Sequence, residues 1–474
     1  MMFQSKNFNE IAKQVQSTWN IPGLVYGLIL DGKLTEISSV GPVKEDTLFR
    51  IGSNGKSITA AMLLNELKTH NLGIHTKLNE VNEGIKFSDS QYTKQIQIKD
   101  ILTHCTGHGK FTCSMMAYLG YSEDDLASSF QHIPFLKAPG HSFQYQNGLY
   151  LLAGKLVEHL SGMHSLEYFK QHLYNHLGMN NTYMGLLNTP IDRLATPYAE
   201  VDGDNKSINQ STFSDAIGTG GNINTSTFDL SQWVLANLKA MRDSNSSLFD
   251  KQFFPFVVFK QDLNPVFCLN KFIKWNGYGL GWYFNSFQKY NIIEHLGGVP
   301  GYTSFMSFSP ALNAGIVLMC NKTDMRYPLE YLRFAFYSKI TEPNIPLSIS
   351  ELYEQTLNYQ ASLKKQILFQ KASLPAVLKN VELRFHNPQY GYVIFNTKSN
   401  VPSIFFESTK YHIPLAYMGE NKFAAEDPQH NFNSSLKRVI FPLSDNRRQI
   451  SMQIDMDNQQ GGLTFIENQK FYQN

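Results

Sequence analysis

A serine and a lysine three positions apart, Ser53 and Lys56, stand where an apolar helical pattern begins, in Phe49-Arg50-Ile51-Gly52-Ser53-Asn54-Gly55-Lys56. Side chains at that spacing share a helix face, one turn from each other, so the amine can approach the hydroxyl. Burial and the positive end of the helix dipole both disfavour a charged lysine there, which leaves an amine able to accept a proton. The serine can then attack an amide or ester carbonyl without help from a histidine. Spacing alone selects nothing, because Ser286, Ser362 and Ser434 also have a lysine three positions on. A serine at a helix start also reads as an N-cap.

Two other clusters carry chemistry. Tyr145-Gln146-Asn147 stands directly before a second helical pattern. A phenol shuttles protons where neighbouring cations lower its pKa, and a carboxamide both donates to and accepts from a substrate amide. Asn147 equally fits an N-cap, and Tyr145 a half-buried ring. His295-Leu296-Gly297-Gly298-Val299-Pro300-Gly301 precedes a strand pattern. Paired glycines let a substrate backbone come close, and an N–H there can hold an oxyanion. A glycine-rich turn with an incidental histidine has the same composition.

The elements that must position these residues follow from periodicity. Leu24 to Leu30 and Lys33 to Ile37 flank Asp31-Gly32, so the chain opens with an antiparallel hairpin. Ala60, Leu63, Leu64 and Leu67 have helical spacing within Ile58 to Leu67, and Ile58, Ala61 and Met62 make that helix apolar on other faces, hence central. A second helix runs from about Leu149 to Leu160, stopped at Gly162. Thr303 to Phe308 and Gly315 to Cys320 read as strands joined through Pro310 and Asn313, followed by a helix entered at Pro328. Strands, a helical middle and strands again imply an α+β domain: one antiparallel sheet built from both ends of the domain, flanked by helices with an inserted helical region.

That pattern breaks at Thr341 to Pro346, and Ser348 with Glu351 forms a capping box for a helix carrying Ile349, Leu352, Tyr353 and Leu357. Beyond Leu374, alternation in Ile450, Met452, Ile454 and Met456, with Tyr392 to Phe395, Ser403 to Phe406 and Leu463 to Ile466, implies a small antiparallel barrel-like domain. The expected division is 1–342, a helical linker 343–374, and 375–474.

At 474 residues more than one domain is expected, and a net charge of +2 with scattered lysines and arginines excludes a nucleic-acid footprint. No apolar run is long enough to cross a bilayer. The first residues, MMFQSKNFNEIAKQ, lack the pattern of a secretory leader, so the expected location is cytoplasmic, with export by a leader absent from this sequence as the other possibility. Cys105, Cys113, Cys268 and Cys320 follow no metal or disulfide framework and read as free thiols.

In this order, Ser-x-x-Lys, Tyr-x-Asn and His-x-Gly resemble the signature elements of the class C β-lactamase and penicillin-binding-protein group. Similar too are Ile21-Pro22-Gly23-Leu24, Leu102-Thr103-His104-Cys105-Thr106-Gly107, Gly220-Gly221 through Asp229-Leu230, and Tyr278-Gly279-Leu280-Gly281-Trp282, so the resemblance runs from about Ile21 to Asn321. It implies a serine hydrolase acting through an acyl-enzyme. Ser53 is then the nucleophile, Lys56 the neighbouring base, Tyr145 the proton shuttle and Asn147 a contact to the scissile amide. His295, Gly297 and Gly298 line the substrate, and the N–H groups of Ser53 and Gly298 form the oxyanion hole. Which of Lys56 and Tyr145 is the acylation base stays open. No cofactor or metal is implied, and the partner is a small-molecule or peptide substrate.

The sequence departs from the group at Gly55, where relatives more often have serine or threonine, at Gln146, where serine is common, and at His295, which replaces a lysine. Near neutral pH a histidine supplies a cation toward a substrate carboxylate only in part. The resemblance therefore implies the esterase-like and D-aminopeptidase or carboxypeptidase-like branches more than efficient β-lactamase action. Asn387-Pro388-Gln389-Tyr390-Gly391-Tyr392 resembles the small β domain appended to some of these hydrolases. A penicillin-binding or sensing protein that acylates without turnover, and an inactive scaffold, share the same motifs.

Overall fold

Asp31 and Gly32 both take positive φ, 51° and 69°, the pair of conformations a two-residue type I′ turn requires. They join β1 (Leu24–Leu30) to β2 (Lys33–Val40), three residues longer than the alternation suggests. The computed structural model describes residues 5–201, 203–242, 256–258, 273–341, 348–365, 372–399, 401–419, 422–425, 443–446, 449–454 and 463–467. The expected boundary at 342–343, Cys268, Ser434 and Met456 lie outside them.

β1 is buried along almost its whole length because it is an inner strand with both faces covered. It pairs antiparallel with β2 on one side and, on the other, with a strand from the far end of the domain, Leu24 facing Cys320 and Ile29 facing Gly315. That sheet also holds β3 (Val257–Val258), β4 (Ile273–Tyr278), β5 (Tyr283–Phe287), β6 (Tyr290–Val299), β7 (Tyr302–Ser309) and β8 (Ala314–Cys320). Its order is β2-β1-β8-β7-β6-β5-β4-β3, antiparallel at every step. The two ends of the domain therefore meet in one sheet, as the order of patterns implies.

The twofold alternation of strands divides the core. Leu24, Tyr26 and Leu28 join Phe8, Val15, Leu329, Leu332 and Phe336, from α1 (Ser5–Thr18) and α5 (Arg326–Ile340). Val25 and Ile29 face the other way, with Leu230, Trp233 and Val234 of α4 (Thr227–Arg242) and the helical layer. In that layer α2 (Gly55–Thr69) packs against α3 (Gly148–Ser161), which ends on Gly162 in the left-handed region. α2 starts three residues before the apolar pattern does, so Lys56 lies inside its first turn, buried with its neighbours. α1 and α4 were not apparent in the sequence, and none of the described helices is long and apolar enough to cross a membrane.

Beyond α5, Ser348 Oγ accepts the Glu351 N–H at 3.3 Å at the start of α6 (Ile349–Lys365), and Tyr353 packs edge-on against Trp19. A second antiparallel sheet follows: β9 (Glu382–Asn387), β10 (Gly391–Asn396), β11 (Ser403–Phe406), β12 (Tyr411–Gly419), β13 (Lys422–Ala425), β14 (Leu443–Asn446), β15 (Gln449–Ile454) and β16 (Leu463–Glu467). Its order is β13-β12-β11-β10-β9-β16-β15-β14, and among the described residues the end strands do not pair. The barrel-like expectation thus becomes an antiparallel sheet with no closure seen, because alternation reports a strand and its buried face but not ring closure.

This sheet is not a bystander to the first domain's packing. Phe385, Tyr390, Val393, Phe395 and Phe406 belong to the same buried cluster as Met116, Leu119 and Tyr121. Tyr121 donates its hydroxyl to the carbonyl of Tyr390 at 2.5 Å, and Gln389 Nε2 meets Met116 Sδ at 3.4 Å. Removing the Tyr390 ring should leave a cavity at this junction. Tyr390→Ala is expected to lower unfolding free energy by about 3 kcal/mol or more in urea titration. Tyr121→Phe, which deletes the hydrogen bonds to Tyr390 O and Ser408, should cost about 1–2 kcal/mol.

Candidate active site

A one-turn 3₁₀ segment, Gly52–Asn54, leads directly into α2, and Ser53 sits on it half-buried. The approach is fixed on both sides. Phe49–Arg50 pairs with Ile223–Thr225, and Ile51 donates its N–H to Ile223 O at 3.0 Å. Asn54, not Ser53, occupies the N-cap position of α2, and Asn147 that of α3, each without a side-chain cap bond. The side chains of Ser53 and Asn147 are committed elsewhere.

Lys56 is fully buried, and its Nζ lies 2.8 Å from Ser53 Oγ, 2.9 Å from Asn147 Oδ1 and 2.6 Å from the carbonyl oxygen of Gly220. Asn147 is oriented by donating Nδ2 to Ser114 Oγ at 3.2 Å. Tyr145 shares a hydrogen bond with Ser53, and Lys56 Nζ lies 5.1 Å from the centre of its ring. Ser53, Lys56, Tyr145 and Asn147, spread over nearly a hundred positions, therefore converge on one hydroxyl oxygen. Of the other Ser-x-x-Lys pairs, Ser286 lies in β5 with Lys289 in the turn after it, not at a helix start.

Burial holds the Lys56 amine well below its usual range. It also pushes the Tyr145 phenol well above 10, with Tyr283 adding to the rise and the Ser53 hydrogen bond opposing it. The expectation that nearby cations lower this phenol is corrected: burial is the largest influence on it, and burial raises it.

His295, Gly297 and Gly298 fall within β6, a ten-residue strand rather than a turn. His295 is 1% exposed, and both ring nitrogens have protein partners: Nδ1 is 2.8 Å from Leu296 O and Nε2 is 3.3 Å from Tyr278 Oη. Burial, followed by the nearby Lys56, lowers its pKa to about 3. A partial cation at this position is thus corrected to a neutral ring. Gly297 makes room for the protein's own chain, since a Cβ there would stand 1.8 Å from Ile51 O. Gly298 is exposed with open space where a Cβ would be, and its backbone abuts Gly52. β5 pairs only as far as Glu294, so among the described residues the rest of that edge of β6 has no strand beside it.

The departures from the family pattern have packing reasons. A Cβ on Gly55 would meet Ile223 Cδ1 at 3.0 Å, so the space a larger residue would take is already filled. Gln146 is buried, its amide 3.4 Å from His108 O, and so lies beneath the cleft.

Gly220, Ser114, His104, Tyr150 and Tyr278 also build this site and had no role in the sequence reading. Gly220, His104 and Tyr278 lie in segments that resembled the family, yet nothing in local spacing says what they touch. Cys105, Cys113 and Cys320 are buried.

The sequence model of the family described as Beta-lactamase matches residues 8–334. Unguisins hydrolase ungD′ of Aspergillus campestris is 26% identical over 338 residues, covering 67% of this chain and 62% of its own length. Penicillin-binding protein 4* of Bacillus subtilis is 23% identical over 327 residues, 65% of this chain and 68% of its own. The chain thus spans less than two thirds of the first of these relatives. Among solved structures, the octameric penicillin-binding protein homologue from Pyrococcus abyssi superposes with a TM-score of 0.63 at 18% identity, over 98% of this chain and 100% of that one. D-amino acid amidase from Ochrobactrum anthropi SV3 gives 0.59 at 20% identity, over 71% and 100%. At these identities the two structures establish a shared fold.

Two outcomes follow. Gly297→Ala should displace the Ser53 turn and abolish fluorophosphonate labelling, whereas Gly298→Ala should melt and label within roughly threefold of wild type; intact mass and thermal melting read both. His295 and His108 are both held neutral, near 3, against an ordinary 6.5. Unfolding frees them to charge, so stability present above pH 6.5 should be lost as pH falls toward 3, and urea midpoints across that window should decline.

Proposed function

Because the chain belongs to the β-lactamase family, we propose that it is a serine hydrolase that cleaves an amide bond through an acyl-enzyme on Ser53. The observation that carries this reading is the set of partners around Lys56. A neutral amine has two N–H donors and one lone pair. Asn147 Oδ1 and Gly220 O can only accept, so they take the two hydrogens. The lone pair is left for Ser53, the one partner at 2.8 Å that has a proton to give. This supports Lys56 as the acylation base.

In acylation the Ser53 proton passes to Lys56 Nζ as Oγ bonds the substrate carbonyl carbon. The N–H groups of Ser53 and Gly298 are the proposed donors to the oxyanion, a role favoured by the open edge of β6 beside Gly52. Collapse breaks the carbon–nitrogen bond. The leaving nitrogen takes a proton from Tyr145, whose raised pKa keeps it a donor, and Lys56 returns its extra proton to that phenol. Water then attacks the acyl-enzyme, giving one proton to the Lys56–Tyr145 pair, which returns it to Ser53 Oγ as the acid departs.

The substrate class follows from what stands where a lysine is common. A neutral, fully engaged His295 offers no charge to a carboxylate. Amides or esters without a carboxylate beside the scissile bond are favoured over β-lactams and peptides ending in D-alanine. Two of the similar proteins are themselves named a hydrolase and an amidase.

Ser53→Ala should lower turnover of aminoacyl p-nitroanilides at least roughly a thousandfold without changing the melting temperature. A mutant that matches wild type would remove Ser53 from the mechanism, and efficient turnover of nitrocefin would overturn the substrate class. The rate should rise with pH as Lys56 loses its proton, reaching its plateau far below the ordinary lysine pKa of 10.5.

A further inference from the structure

Behind Tyr145 lies a chain of hydrogen bonds whose protons are ordered by a fixed donor at one end and a fixed acceptor at the other. The backbone N–H of Gln146 is 3.1 Å from His104 Nδ1. An N–H can only donate, so Nδ1 accepts, and the neutral ring carries its proton on Nε2. That Nε2 lies 3.3 Å from the Tyr278 hydroxyl and donates to it. At the other end Leu296 O can only accept, so His295 carries its proton on Nδ1 and accepts at Nε2, 3.3 Å from the same hydroxyl. Tyr278 therefore receives from His104 and gives to His295. Tyr150 donates its own proton to Leu102 O at 2.6 Å and so can only accept from Tyr278; of the two acceptors open to the Tyr278 proton, His295 Nε2 is the one that would otherwise be a buried ring nitrogen with no donor.

The chain spans both walls of the site. Gln146 sits between Tyr145 and Asn147, while Leu296 precedes Gly297 and Gly298 on β6. The His104 ring lies 4.3 Å from the Tyr145 ring and 5.1 Å from that of Tyr278, and the His295 ring lies 6.3 Å from Tyr145. Each imidazole has one nitrogen that must stay unprotonated, since it accepts from an N–H or O–H. Protonating either ring would break the chain and put a positive charge near Lys56.

We propose that Tyr278 and His104 are positioning residues that hold His295 as a neutral acceptor, so that His295 braces Tyr145 and the Gly298 edge around Ser53 rather than binding substrate. Burial favours the same uncharged forms, lowering both histidines and raising Tyr278. The kinetic part of this inference rests on Ser53 being the nucleophile; the proton order does not.

The test uses the full chain with 15N-labelled histidine, the His295 and His104 signals being assigned by their loss in His295→Gln and His104→Gln. At pH 7, wild type should show neutral rings with opposite tautomers, Nδ1–H for His295 and Nε2–H for His104. Tyr278→Phe keeps the ring and deletes the hydroxyl. It should lower kcat roughly 10- to 100-fold, leave KM within about threefold and the melting temperature within about 2 °C, and shift the His295 Nε2 resonance as that nitrogen loses its donor, the proton staying on Nδ1 opposite Leu296 O. Tyr150→Phe should leave that resonance in place. A charged or Nε2–H His295 in wild type overturns the proposal without any variant. So does an unchanged kcat in Tyr278→Phe, or a loss matched by a drop in melting temperature. If Ser53→Ala retains activity while the tautomers are as stated, the nucleophile assignment fails and the proton order stands.

Discussion

Lys56 sits in the interior with no solvent to share a charge, and two of its three partners are oxygens that can only accept. Both facts push the same way. Burial penalises the ammonium, and Asn147 Oδ1 and Gly220 O consume the two hydrogens a neutral amine has. What remains is one lone pair aimed at Ser53. The rest of the domain can be understood as the means of keeping that amine dry and those two acceptors in place.

Backbone contact provides most of that rigidity. The turn carrying Ser53 is hydrogen-bonded to Ile223 on one side and pressed against β6 on the other, where Gly297 leaves room only for Ile51 O. Asn147 is held by Ser114, at the start of a short helix that ends at Tyr118, followed by Tyr121. Tyr121 in turn is bonded to Tyr390 in the second sheet. The C-terminal strands thus reach the site through packing at this helix, a link from distant sequence to the orientation of one carboxamide.

The side chains packed behind the site are aromatic and polar. Tyr145, Tyr150, Tyr278, His104 and His295 form neighbouring rings, with both histidines neutral. A full cation near Lys56 would favour deprotonation of the amine further, yet it would also attract carboxylates into the cleft. With an engaged imidazole in that place, burial is what lowers the lysine, and it favours the uncharged amine.

The parts of this protein that rest on neighbours along the chain were legible in its sequence. Asp31-Gly32 encodes its hairpin, alternation encodes the strands, and Ser53 faces Lys56 because helical spacing places them on one side. The family resemblance then placed Tyr145 and Asn147 beside them. Position within a chain carries no such information about Gly220, 164 positions from Lys56, or about Ser114, which reaches Lys56 only through Asn147, and a carbonyl oxygen has no residue-specific signature. Nor could residue type tell whether His295 is charged. Depth of burial and the direction of two hydrogen bonds make it neutral, and both are properties of the packed interior, fixed only when β6, the His104 segment and Tyr278 come together.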